Sequence, residues 1–232
     1  MKMRFPGVAF DLDGTLYPNR NFYIHLIPFL LKESRYLRVF GKVRDRIRRE
    51  ASIGKFNHGP VSFYQIQAQY MAEELGQDPA LLLQKNEEMI YRGWEPLFKK
   101  VSLFPQVKEI LHFLRENGVK LGLLSDFPPL KKLEILGISG IWDAVLCSEE
   151  TGRLKPDPLP FNELVKTMNL PPEKILYVGN SYSYDVVGAR QTGMKTAWIR
   201  PKRKCLFPEL NGDKTADLIF YSYRQLKNFM LV

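Results

Sequence analysis

Three apolar runs of strand length each stop at a polar cluster, and this repeated arrangement limits the fold more than any other feature of the chain. Residues 5–12 (FPGVAFDL) lead into Asp11-Leu12-Asp13-Gly14-Thr15. Residues 119–124 (VKLGLL) end at Ser125-Asp126. Residues 175–178 (ILYV) end at Gly179-Asn180-Ser181. Continuous apolar runs this short, bounded by polar residues, read as buried strands. Around them the pattern alternates. An amphipathic helix is expected over 106–116, stopped by Asn117-Gly118. A short helix is expected over 129–136, a strand over 144–147, a helix over 160–168, a helix over 185–192 and a strand over 196–199. Residues 218–221 read as a last edge strand, followed by a short helix. Strand-helix alternation implies parallel pairing through right-handed crossovers. Ligands of such sheets bind beyond the carboxyl ends of the strands. The three polar clusters are therefore expected to meet at one site.

Residues 16–95 have a different character. Apolar residues fall at helical spacing over 21–37, and further helices are expected over 60–75 and 79–94. Gly76 suits a helix C-terminus. No strand signal interrupts this block, which reads as an all-helical insert. The expected fold class is α/β: a Rossmann-like core with a mainly parallel sheet flanked by helices, plus a helical insert after the first strand. The boundaries are core 1–16 and 100–232, insert 17–99. The 232 residues, 45% of them hydrophobic, are enough for one large core or a core plus a smaller insert.

Composition excludes several classes. No stretch approaches the roughly 20 apolar residues of a membrane span. The start, Met1-Lys2-Met3-Arg4-Phe5-Pro6, lacks an apolar signal core, and the chain reads as cytoplasmic. Cys147 ends an apolar run and reads as a reduced core thiol, while Cys205 sits in a basic loop; no zinc spacing joins them. His25, His58 and His112 are scattered. The formal net charge is +9, concentrated over 32–49 and 200–204. A solvated helix face and a surface loop account for these clusters. A funnel for anionic ligands also does. A nucleic-acid surface stays open on charge alone, but no nucleic-acid motif accompanies it.

The polar clusters carry chemistry of their own. Asp11 and Asp13 can point into one cleft once the strand gives way to a turn, and a divalent cation would offset their repulsion. Alone, this string could equally be a surface Asp-Gly turn. Ser125 and nearby backbone N–H groups could hold anionic oxygens, or simply cap a helix. Lys155, within Gly152-Arg153-Leu154-Lys155-Pro156-Asp157-Pro158, is a compact cation in a stiffened segment. Asn180 and Asp185 offer hard oxygens suited to Mg²⁺.

Together, in this order and at strand ends, the four segments resemble the haloacid dehalogenase superfamily. The resemblance covers the whole chain, and the helical block resembles that family's C1 cap. It implies a phosphomonoester hydrolase acting on a small phosphorylated metabolite through an aspartyl-phosphate. In it Asp11 is the nucleophile and Asp13 the acid, then the base. Lys155 is the bridging cation. Ser125, with Asp126 and Lys155, forms the phosphate-binding set. Mg²⁺ would sit with Asp11, Asp13, Asn180 and Asp185. Dehalogenases of the family lack the second acid, so Asp13 favours phosphoryl chemistry. Tyr17, Asn19, Arg20 and Tyr23 are candidates to face the substrate from the cap side, with Tyr182 and Tyr184 beside the fourth segment. Two departures stand out: the fourth segment usually begins Gly-Asp but here is Gly179-Asn180, and the second often ends in Asn where this chain has Asp126. Asn180 keeps open a catalytically weak binding or scaffold protein with a basic surface. A sugar phosphomutase also stays open, as does monomer or homodimer.

Overall fold

The computed structural model describes residues 2–56, 61–200 and 215–232. His58, Cys205 and most of the basic segment 200–204 lie outside them. Six strands form one parallel sheet: β1 (Gly7–Phe10), β2 (Lys120–Ser125), β3 (Ala144–Cys147), β4 (Ile175–Gly179), β5 (Lys195–Ile199) and β6 (Leu218–Phe220). Their spatial order is β3-β2-β1-β4-β5-β6, with every neighbouring pair parallel. The strand order reverses at β1, which lies between β2 and β4. A crevice therefore opens at their carboxyl ends, where Asp11, Ser125 and Asn180 follow. The α/β Rossmann-like class expected from the alternation is the one observed.

Both sheet faces are covered. On one face α5 (Val107–Glu116), α9 (Tyr223–Met230) and α6 (Leu130–Leu136) bury Leu111, Leu114, Leu133 and Leu226 against Val8, Phe10, Leu121 and Leu123. On the other, α7 (Pro158–Met168) and α8 (Val187–Gln191) bury Phe161, Leu164, Met168 and Ala189 against Ala9, Leu124 and Tyr177. Strands this apolar need helices on both faces, because neither face can be left to water.

The helical block holds α1 (Asn19–Lys32), α2 (Ser34–Ser52), α3 (Phe63–Leu75) and α4 (Pro79–Asn86), then a π turn over Glu87–Tyr91 and a 3₁₀ turn over Glu95–Lys100. The single helix expected over 21–37 is two. Pro28 lies inside α1, and at Glu33 the backbone leaves helical geometry (φ −123°, ψ 32°). The chain then restarts as the longer α2. In α2, Tyr36, Phe40, Val43, Arg44 and Ile47 are buried at helical spacing; Arg35, Arg38, Lys42 and Arg49 are exposed, and Arg46 and Arg48 are partly buried. A capping box between Ser62 and Gln65 starts α3, and Gly76 closes it in the left-handed region (φ 65°).

The block has its own apolar cluster, built on Tyr36, Phe40, Val43, Ile47, Phe63, Met71 and Ile90. Phe22, Leu26 and Phe98 instead join the main core. No helix among the described residues is long and apolar enough to cross a membrane.

Candidate active site

The Asp11 carboxylate emerges directly from β1, where its own N–H donates to the Val178 carbonyl (2.9 Å). Oδ1 accepts from Lys155 Nζ at 2.6 Å, and Oδ2 accepts from the Thr15 hydroxyl at 2.7 Å. The same hydroxyl lies 3.3 Å from Asn180 Oδ1. Gly14, at φ 89°, makes the turn between them; a Cβ there would stand 2.6 Å from Asn19 Nδ2 and would also strike the Asn180 amide. A second close approach occurs at Gly179, where a Cβ would stand 2.5 Å from the Asp185 Cγ.

Lys155 is buried and donates to two carboxylates, Asp11 at 2.6 Å and Asp185 at 2.7 Å. The Tyr177 hydroxyl and the Leu124 carbonyl lie 3.4 Å from the same Nζ. Burial alone would pull this ammonium down, but Asp11 and Asp185 outweigh it and hold it well above the ordinary lysine range. Burial pushes Asp11 up to about 7; Lys155 opposes the rise, and the neighbouring Asp185 and Asp13 add to it. This corner therefore carries more negative charge than its one ammonium can neutralise.

Asp13 is more open. Lys132 Nζ sits 2.9 and 3.0 Å from its two oxygens, Tyr17 donates its hydroxyl to Oδ1, and Ser125 Oγ lies 3.4 Å from Oδ2. Burial, then the Asp13 charge, raises Tyr17 well above the ordinary phenol range, so it stays a donor. Ser125 also accepts from the Phe127 N–H at 3.2 Å.

The structure thus brings Asp11, Asp13, Ser125, Lys155, Asn180 and Asp185 together from four segments. Asp126, beside them, and Asp185 have partners that the expectation did not include. The Asp126 carboxylate does not face the crevice: it takes Arg48 Nη2 at 2.8 Å and the Lys155 N–H at 3.1 Å. Burial would raise Asp126, but Lys155, Arg48 and Arg44 outweigh it and lower it. Asp185, expected as a metal ligand, has both oxygens engaged, Oδ1 by Lys155 and Oδ2 by the Ser181 N–H at 2.9 Å. It stands as a second anchor for Lys155.

Tyr17, Asn19 and Tyr23 line a cavity of about 440 Å³ that opens beside Asp13 under the helical block. Arg20 does not reach it. It borders a separate cleft of about 830 Å³, on the Gly14 and Asn180 side, with Arg200 and Arg224. Tyr182 packs on Trp198, and Tyr184 lies under the Arg48 guanidinium at 4.5 Å.

Sequence reading missed Thr15 as the hydroxyl shared by Asp11 and Asn180, although it lies inside the first segment. It also missed Lys132, which sits on a short helix with no periodic signal, and Arg44 and Arg48, which were read with the solvated face of α2. Arg44 is buried against Glu149 and stacks 4.2 Å from the Phe127 ring centre.

A cation fits the donor set. Asp11 Oδ2 and Asn180 Oδ1 converge on one hydroxyl, both are hard oxygens, and the surplus negative charge on Asp11 is what a divalent ion would offset. Among the described residues no group of three His, Cys, Asp or Glu side chains is arranged to hold a metal ion. Two hard oxygen donors match a cation such as Mg²⁺ that keeps several waters.

Comparison with known proteins relates most of the chain to one family. The chain is 27% identical to glyceraldehyde 3-phosphate phosphatase of Methanopyrus kandleri, over 95% of this chain and 94% of that protein. It is 30% identical to phosphoglycolate phosphatase of Aquifex aeolicus, over 50% of this chain and 57% of that protein. Among solved structures, the HAD-hydrolase YfnB from Bacillus subtilis, bound to magnesium, superposes with a TM-score of 0.66 at 18% identity, covering 99% of this chain and 100% of that one. L-2-haloacid dehalogenase from Xanthobacter autotrophicus superposes with a TM-score of 0.67 at 18% identity, over 97% of each chain. At such identities the superpositions establish the fold. The family model for haloacid dehalogenase-like hydrolases matches residues 5–193. With that match across most of its length, the chain belongs to the haloacid dehalogenase-like hydrolases.

Proposed function

We propose that the protein is a Mg²⁺-dependent phosphomonoester hydrolase acting on a small phosphorylated compound. The observation that carries the reading is the Lys155 ammonium, held 2.6 Å from Asp11 by a second buried carboxylate, with Asp13 and Ser125 across the crevice. An Asp11 oxygen attacks phosphorus, the bond from phosphorus to the alcohol oxygen breaks, and Asp13 gives that oxygen its proton. Water then attacks the aspartyl-phosphate, Asp13 takes a proton from it, and Asp11 is released with inorganic phosphate. Splitting one displacement in two lowers each barrier, and Asp13 serves both halves.

Lys155 draws negative charge from both the nucleophile and the transferring oxygens. The Ser125 hydroxyl donates to a phosphate oxygen in this reading. Asp11, Asn180 and the Asp13 backbone carbonyl would hold Mg²⁺, which supplies charge neutralisation between carboxylate and phosphate. The two sequence relatives named above are phosphatases, for glyceraldehyde 3-phosphate and phosphoglycolate, which supports the same reaction class here. Asp13 itself separates this reading from dehalogenation.

Release of inorganic phosphate from acetyl phosphate with millimolar Mg²⁺ tests the proposal. Turnover is expected in the native protein and lost in Asp11→Asn by at least about 10³-fold, the loss of a covalent route. Equal turnover in the two proteins would sink it.

A further inference from the structure

The cavity beside Asp13 says what kind of alcohol the ester carries. Asp13 protonates the leaving oxygen in the reaction proposed above, so the rest of the alcohol lies on the Asp13 side of the crevice. There the wall is aromatic: Phe22, Tyr23, Phe40, Tyr91, Trp94 and Phe127 surround about 440 Å³. Phe22 meets Trp94 edge to face (5.7 Å), Phe127 is tilted to Tyr91 and Trp94 (6.2 Å each), and Phe40 stacks on Phe127 (6.4 Å). Such a cluster offers both ring faces and ring edges to a further ring.

The charged groups of the wall are already paired. Lys132 is bound to Asp13, Arg44 to Glu149 and Arg48 to Asp126, and Asp45 and Glu95 add negative charge. Each cation of the wall already holds a carboxylate, so a second carboxylate on the substrate would have to compete with one, although Arg44 Nη2 and Trp94 Nε1 are buried without a hydrogen-bond partner. The hydroxyl and carbonyl groups of a triose would face mostly rings, with Trp94 Nε1 and Arg44 Nη2 as the wall donors that lack a partner, so most of their hydrogen bonds to water would go unreplaced.

Resting on the phosphatase reading, we infer that the leaving alcohol carries an aromatic or comparably flat apolar body rather than a short polyol or hydroxy acid. Such an alcohol differs from those of glyceraldehyde 3-phosphate and phosphoglycolate, the compounds for which the two related phosphatases are named. Two further positions shape the preference. Gly41 of α2 borders the cavity, and a Cβ there would meet nothing within 4 Å, so larger side chains can fill the space without disturbing the helix. Tyr23 is half exposed at the mouth, so its ring can be removed with little loss to the core.

The test compares two alkyl esters whose leaving groups have similar intrinsic reactivity, 2-phenylethyl phosphate and glycerol 3-phosphate. It uses the full chain with Mg²⁺, reads kcat/KM by phosphate release, and reads Kd by calorimetry on the Asp11→Asn protein. The phenyl ester is expected to be favoured by about tenfold or more in both, the effect of burying one ring. Gly41→Leu and Tyr23→Ala are each expected to shrink that ratio at least fivefold. Turnover of both esters with no preference, or with glycerol 3-phosphate favoured, overturns the inference and leaves the phosphatase reading standing. Failure to hydrolyse these esters and acetyl phosphate alike overturns the phosphatase reading. In that case equal Kd values for the two esters, or no binding of either, overturn this inference as well.

Discussion

Lys155 shows how much one residue can be asked to do. Its ammonium is the counter-ion of two buried carboxylates, and its backbone N–H is tied to a third, Asp126. Lys155→Met should abolish phosphate release, and it should also lower unfolding free energy in urea by about 3–5 kcal/mol, because it strands Asp11 and Asp185 without a partner. Asn180 is the departure with the clearest consequence. Asn180→Asp adds a charge beside Asp11, so titration calorimetry should show Mg²⁺ binding tighter by on the order of tenfold, with the metal-free protein less stable. Asp126 gives a pH prediction. Its folded-state pKa lies below the unfolded value of about 3.9. The unfolded state therefore binds more protons in the acid range, and the stability from Asp126 is present above that value and lost as pH falls through the folded pKa. Asp126→Asn should flatten the decline of urea stability between about pH 5 and pH 3. A curve unchanged from the native protein would mean that its ion pairs contribute nothing. Asp11, Asp13, Ser125 and Asn180 were legible because they close strand runs, whereas the roles of Lys155 and Asp185 came from the resemblance of the four segments together. Lys132 was not legible, since nothing local marks a lysine that reaches a carboxylate 119 residues away.

At the scale of elements, α2 is the strut that joins the helical block to the core. It presents Arg44 to Glu149 and Arg48 to Asp126 and to the Lys155 carbonyl (3.0 Å). These contacts place the Lys155 segment under the control of a helix from the inserted block. Arg44→Met should destabilise by about 3–5 kcal/mol by leaving Glu149 buried and unpaired, and the double change with Glu149→Gln should recover much of it. Recovery of nothing would show that the pair is incidental to packing. α3 depends on its own ends. Ser62→Ala breaks the capping box and should cost about 1 kcal/mol by thermal or urea unfolding. Strand positions and the α3 terminus could be read in advance from apolar runs and from Gly76. The break at Glu33 could not, because the apolar pattern runs straight through it. The outward or inward fate of each arginine on α2 was equally hidden, since helical periodicity counts charge as exposed unless a partner elsewhere says otherwise.

Across the whole molecule, the helical block and the sheet share a core. Phe22, Leu26 and Phe98 come from the insert yet pack with the sheet-side cluster. Unfolding should accordingly be one transition, with tryptophan fluorescence and far-UV circular dichroism coincident in urea. Two separated transitions would show that the block folds on its own. The sequence alone determined the α/β class, the order of its strands along the chain, the run of helices after the first strand and the three polar clusters that end strand runs, because these follow from local apolar periodicity and from the rule that parallel strands aim their carboxyl ends the same way. Tertiary structure alone decided which charges meet. It made Asp126 the partner of Arg48, turned Asp185 toward Lys155, set Lys132 on Asp13 and lined the cavity beside Asp13 with rings. Those outcomes depend on distances between segments far apart in the chain, and in a medium of low polarity a difference of a few ångströms determines whether a charge is paired, buried alone or left to water.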